Sequence, residues 1–148
     1  MTHKARLAFL FCALAMLALD GRASPGATGT IRVDASKFRN QQGVLGCSIF
    51  SSGEGFPARG ALRSVRVPIS GESATCTFDG IAAGTYAVSV LHDENRNGRL
   101  DKNLLSMPTE GYGVSNDHTR AMGPPRWEPA RFSLGAGETK TLSIALRY

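Results

Sequence analysis

An all-β sandwich of about seven antiparallel strands is what this sequence predicts, and three observations carry the prediction. Apolar residues recur at every second position in short runs. Clusters of Gly, Pro, Ser and Asn separate those runs, and two cysteines sit inside them on the apolar side. Period two sends alternate side chains to opposite faces of a strand, so each run reads as half-buried. Beyond residue 23 no helix-like spacing competes with it.

The chain opens with Lys4 and Arg6, an apolar run over residues 7–19 and small residues ending at Ala23, the layout of a secretory signal peptide. The run is shorter than the ~20 residues of a membrane-spanning helix, so we expect cleavage near Ser24, a periplasmic or secreted location and no membrane span afterwards. Cys12 lies within this run behind Phe11 and is no lipoprotein acceptor. Removing residues 1–23 from the 148 leaves 125, enough for a single domain over 24–148. Lys4, Arg6 and Arg22 leave together with Asp20, which takes the formal charge from +5 to +3. The remaining arginines are scattered and not interleaved with aromatics, which speaks against nucleic acid as a partner.

The strands follow in order. Ile31 and Val33 mark the first, Leu45, Cys47 and Ile49 the second, Val65, Val67 and Ile69 the third, Cys76 and Phe78 the fourth. Tyr86, Val88, Val90 and His92 mark the fifth. Its other face, Ala87, Ser89 and Leu91, is also fairly apolar, which places it centrally in a sheet. Ala130, Phe132 and Leu134 mark the sixth; after Gly135-Ala136-Gly137, Leu142, Ile144, Leu146 and Tyr148 mark the last. Cleavage leaves Cys47 and Cys76, and an even pair in an exported chain is most simply a structural disulfide. Between Asp101 and Ala130 the alternation fails. A stretch of this length with Leu104, Leu105, Met107, Tyr112, Val114 and Trp127 in it is expected to be one long ordered loop packed as a lid.

The fifth strand runs into HDENRNGRLD, where Asp93, Asn95, Asn97 and Asp101 alternate around Gly98. Short oxygen-bearing side chains at every second position, with Gly at the sharp turn, suit a hard cation, and calcium is the expected ligand. The Arg99 carbonyl would supply a further oxygen. Leu104 stands where the twelve-residue calcium loop closes on a bidentate acid, so closure needs a residue from outside, and Glu110 is favoured over Asp117 and Glu94. The same residues also cap their own backbone well without any metal. No organic cofactor is indicated.

His92 and His118, with Asp93, offer an alternative class, a small periplasmic hydrolase or metalloenzyme. No H-x-H or H-E-x-x-H spacing and no nucleophile-elbow serine supports it, and His92 reads better as a hydrogen-bonded side chain at a strand end. Tyr112 and Trp127, with the two histidines, offer a ligand surface if the aromatic rings stand exposed side by side. A glycan, a peptide or a cell-envelope protein are the partners such a surface suits.

The run FDGIAAGTYAVSVLHDENRNGRLD, then MPTEGYGVSN, then GPP and an aliphatic strand ending in Arg147-Tyr148, resembles a bacterial secreted family catalogued as domain of unknown function 2141. The resemblance implies a transthyretin-like or prealbumin-like sandwich, kin to Ig-like folds, exported and without an assigned activity. The chain departs from enzymes of that architecture: it lacks the Tyr-Arg-Gly-Ser tail of hydroxyisourate hydrolases and the H-x-H pair of intradiol dioxygenases. Fold kinship does not carry chemistry over. The expected protein is a non-catalytic, calcium-stabilised binding or structural module.

Overall fold

The computed structural model describes residues 26–118 and 123–148; the expected signal peptide lies outside them. Eight strands appear: β1 (Gly29–Ser36), β2 (Val44–Phe50), β3 (Arg63–Pro68), β4 (Ser73–Ile81), β5 (Gly84–Asp93), β6 (Gly111–Val114), β7 (Phe132–Leu134) and β8 (Thr139–Ala145). A 3-10 turn (Ser115–Asp117) and a one-turn helix, α1 (Trp127–Ala130), interrupt the sequence between β6 and β7. The smaller sheet has the order β4-β1-β8; the larger is β3-β2-β5-β6, with β7 paired to the first residues of β5.

Except in β6, the inward face of each strand is the one its alternation predicts. Ile31, Val33, Leu45, Cys47, Ile49, Cys76, Phe78, Val88 and Ile144 are fully buried between the sheets, and β5 is central in its sheet as its two apolar faces require. Cys47 of β2 is bonded to Cys76 of β4, so the disulfide ties one sheet to the other across the core. With a sequence separation of 29, such a bridge stabilises the fold by roughly 3 to 4 kcal/mol on chain-entropy grounds.

Three details refine the expected sandwich. First, β6 is one strand beyond the seven read from alternation, and it lies inside the stretch read as a loop. Its inward positions are Gly111 and Gly113, where a Cβ would come within 2.6 Å of the Tyr148 ring and of Ile144 respectively; the core here is filled from across the interface, so no apolar alternation marks the strand. Second, β1 and β8 pair in parallel, from Thr30–Thr139 to Ser36–Ala145. Alternation is the same for either direction, so it cannot distinguish them. Third, the lid is not one packed loop. Residues 102–108 form a hairpin on which Leu104 is 103% exposed, Leu105 82% and Met107 57%.

Candidate functional site

Strand β5 ends with two residues facing opposite ways, and each organises one side of the site. His92 points inward and is fully buried. Its Nε2 lies 2.8 Å from the Gln42 carbonyl and its Nδ1 2.6 Å from the Tyr148 hydroxyl. A carbonyl only accepts, so Nε2 carries the proton and Nδ1 accepts from Tyr148. The Tyr148 oxygen in turn accepts the Arg39 backbone N–H at 3.0 Å, and the Arg39 guanidinium lies 4.7 Å over the Tyr148 ring. Arg39 also donates to Glu94 at 2.6 Å and to the Thr109 carbonyl at 2.9 Å, gripping both ends of the loop that follows β5. That guanidinium holds the Glu94 carboxyl below its usual range, and burial pushes the Tyr148 phenol up.

Asp93 points outward and is 1% exposed. Its two oxygens accept the backbone N–H groups of Asn97 at 2.9 Å and Gly98 at 2.8 Å. Asn95 Oδ1 accepts from Asn97 N–H and Asn97 Oδ1 from Arg99 N–H, two local turns in series. The amide groups of Asn95 and Asn97 donate to the two oxygens of Asp101, at 2.7 and 2.9 Å. Glu110, 4% exposed, accepts the Glu94 N–H with one oxygen and the Asp101 N–H with the other. The loop therefore brings Asp93, Asn95, Asn97, Asp101 and Glu110 together, and Glu110 is the residue that joins its two ends. The side-chain oxygens of all five meet N–H donors. Among the described residues no three His, Cys, Asp or Glu side chains gather as a metal site.

The remaining candidates are dispersed. Asp117 accepts the Ala145 N–H and so fixes β8. His118 is exposed and shares no hydrogen bond or ion pair with His92 or Asp93 among the described residues. Tyr112 and Trp127 do not form a paired platform. Trp127 packs edge-on against Phe56 at 5.9 Å, over Ala87, Val114 and Ala130, whereas Tyr112 is half-buried and bonded through its backbone to Arg147. The rest of the P-x-EGYG-x-SN run has structural work: buried Ser115 accepts the Val88 N–H and donates to the Ala130 carbonyl, and Asn116, at φ 63°, donates to Pro129 and Arg131.

Sequence reasoning missed a cleft of about 950 Å³ on the outer face of the larger sheet. Its floor is the face opposite the core: Gly46, Ser48, Ser64, Ser89, Leu91 and Tyr112. One wall is the 57–61 segment, another the loop and hairpin of residues 98–108, a third Gly123 to Pro125. The available clue was the small-residue outer face of β2 and β5, since a central strand lined with Gly and Ser on one side leaves room over it. Arg66 lies against Gly98, where a Cβ would overlap its guanidinium. The loop that reads as a cation cage thus also serves as a cleft wall.

A family model described as "Uncharacterized protein conserved in bacteria (DUF2141)" matches residues 33–142. Neither a curated protein nor a solved structure matches the chain. The transthyretin-like kinship accordingly rests on the sequence resemblance, and the observed architecture is that of a β-sandwich.

Proposed function

The chain belongs to this bacterial family of uncharacterised proteins, and from that premise we propose that it is an exported, non-catalytic module that binds an apolar or amphipathic ligand in the cleft of its larger sheet. The observation that carries the reading is the cleft itself: about 950 Å³, within the usual range for ligand sites, over a floor of mostly small side chains and between walls built by loops. The loop of residues 93–110 is a fixed wall, closed by Asp93 and Glu110 on backbone N–H groups. Both His92 nitrogens are engaged inside the core, which supports a binding role over a hydrolytic one. A glycan suits the cleft poorly, because a sugar needs exposed aromatic faces, and of the aromatic residues along the cleft Phe50 is buried and Tyr112 half-buried.

The experiment is to fill the floor. A Cβ placed on Gly46 would come no nearer than 3.8 Å to Leu91, an ordinary van der Waals contact, so the strand accepts the side chain of Gly46→Leu and the leucine extends into the cleft. In amide NMR titrations with a panel of amphipathic peptides and detergents below their micelle concentration, ligands should shift Ser48, Ser89, Leu91 and Tyr112, and Gly46→Leu should abolish the shifts. Shifts elsewhere, or shifts that survive Gly46→Leu, would overturn the reading.

Calcium is a second reading of the same wall, favoured by the convergence of two carboxamides on the Asp101 carboxylate. A cation entering there would replace the two amide donors, with Asp93, Asn95, Asn97, the Arg99 carbonyl and Glu110 as the remaining oxygen sources. An exported protein meets calcium at about millimolar levels, where sites of modest affinity fill. Its test is the melting temperature with chelator and with millimolar calcium, repeated on Asp93→Ala: a calcium-dependent rise lost in the variant supports it, and equal melting temperatures remove it.

A further inference from the structure

Resting on the cleft reading above, we infer that the ligand is an anionic amphiphile, a hydrocarbon chain carrying a carboxylate or phosphate head. The apolar part follows from Leu91 and Tyr112 on the floor of the cleft and Leu100, Met107 and Pro108 on its wall. The charge follows from Arg59, Arg66, Arg99 and Lys102, which line the same cleft. Among the described residues none of these four makes an ion pair. Among the described residues the one acid lining the cleft is Asp93, whose two oxygens accept the Asn97 and Gly98 N–H groups, so one carboxylate stands against four cations and the lining is net positive.

The mouth has matching chemistry. Asn103 fixes the hairpin turn: its side-chain oxygen accepts the Leu105 and Met107 N–H groups, its carbonyl accepts from Ser106, and its own N–H donates to the Met107 carbonyl. This turn holds Leu104 and Leu105 out in water next to the cleft-lining Lys102, Ser106 and Met107. Two fixed, solvated leucines beside a net positive lining form a surface complementary to an acyl chain below an anionic headgroup. The amphiphile has two sources, free in solution or presented in a bilayer, and the leucine pair distinguishes them.

The test uses the mature, disulfide-intact protein. Laurate is titrated below its micelle concentration against wild type, Arg66→Gln/Arg99→Gln and Gly46→Leu, with dodecyl maltoside as the neutral amphiphile and matched melting temperatures as the folding control. Laurate should shift the Ser48, Ser89 and Leu91 amides, the double arginine variant should bind it about tenfold more weakly, and dodecyl maltoside should bind wild type no better than that variant binds laurate. Sedimentation with phosphatidylglycerol vesicles, lost in Leu104→Ser/Leu105→Ser while laurate binding persists, supports the inference with the bilayer as source. Laurate binding without sedimentation supports it with the free amphiphile as source. Equal binding of laurate and maltoside in the cleft, indifferent to the arginines, overturns the anionic class and leaves the cleft reading standing. If neither amphiphile moves the cleft amides, both fall.

Discussion

Glu110→Gln is the substitution that most sharply probes how the site is built. The side chain is 4% exposed, and its two oxygens take one backbone N–H each, from Glu94 at 2.9 Å and Asp101 at 3.1 Å. A glutamine has the same shape but only one acceptor oxygen; its other terminal atom is a donor. Whichever way the amide sits, one of the two N–H groups faces another donor. An unsatisfied buried donor costs about 1 to 3 kcal/mol, and the surviving bond loses its charge assistance, for a total of about 2 to 4 kcal/mol. For a domain of this size each kcal/mol is worth roughly 3 to 5 °C, so the melting temperature should fall by about 6 to 20 °C. Urea unfolding of wild type and variant, in chelator and in millimolar calcium, measures it. The same loss is expected in both buffers. A loss under about 1 kcal/mol, or one that appears only with calcium present, would refute the argument that backbone N–H groups close the loop.

Three other expectations concern the surroundings. Tyr148→Phe removes the donor to His92 Nδ1 and the acceptor of the Arg39 N–H, and should cost about 1 to 2 kcal/mol in urea unfolding. In the wild type the raised phenol value means that folding favours the protonated form: Tyr148's contribution is complete below about pH 10 and is lost as pH climbs through the folded value, a step that thermal melts should show and Tyr148→Phe should lack. Glu94 has the opposite sign. Arg39 lowers its folded value, so its contribution is present above about pH 4.3 and lost as pH falls through that lowered value; Arg39→Met should shrink this acid step in the same melts. Reducing the Cys47–Cys76 bond, which joins the two sheets, should remove roughly 3 to 4 kcal/mol, measurable by unfolding with and without reductant.

What was legible in the sequence was what is local or periodic. Alternation identified the inward residues of β1 to β5 and β8, and the cysteines on that face were near enough to bond. The Asp93, Asn95 and Asn97 contacts reach only two to six residues along the chain, so the residue types foretold a tight loop, and the need for an acid from outside pointed to Glu110. What closes that loop was not legible, because carboxylates, Asn side chains and Gly serve backbone N–H groups and hard cations alike. Contacts across the fold were hidden too. His92 is completed by Tyr148, 56 residues away, and β6 by the Tyr148 and Ile144 side chains that occupy its glycine positions. Composition argued that Leu104 and Leu105 would pack, yet the hydrogen bonds of Asn103 hold their turn outside the core. The cleft escaped because it belongs to no single segment: several strands supply its floor and separate loops its walls.

The measurement that bears most directly on the account is amide hydrogen exchange at Glu94, Asn97, Gly98 and Asp101 in the presence of chelator. These are the four N–H groups held by Asp93 and Glu110. A wall closed by its own hydrogen bonds predicts slow exchange at all four, unchanged when calcium is added to millimolar levels. Free exchange in chelator, with protection appearing only on adding calcium, would contradict it and make the cation, rather than the backbone, the element that shapes the cleft.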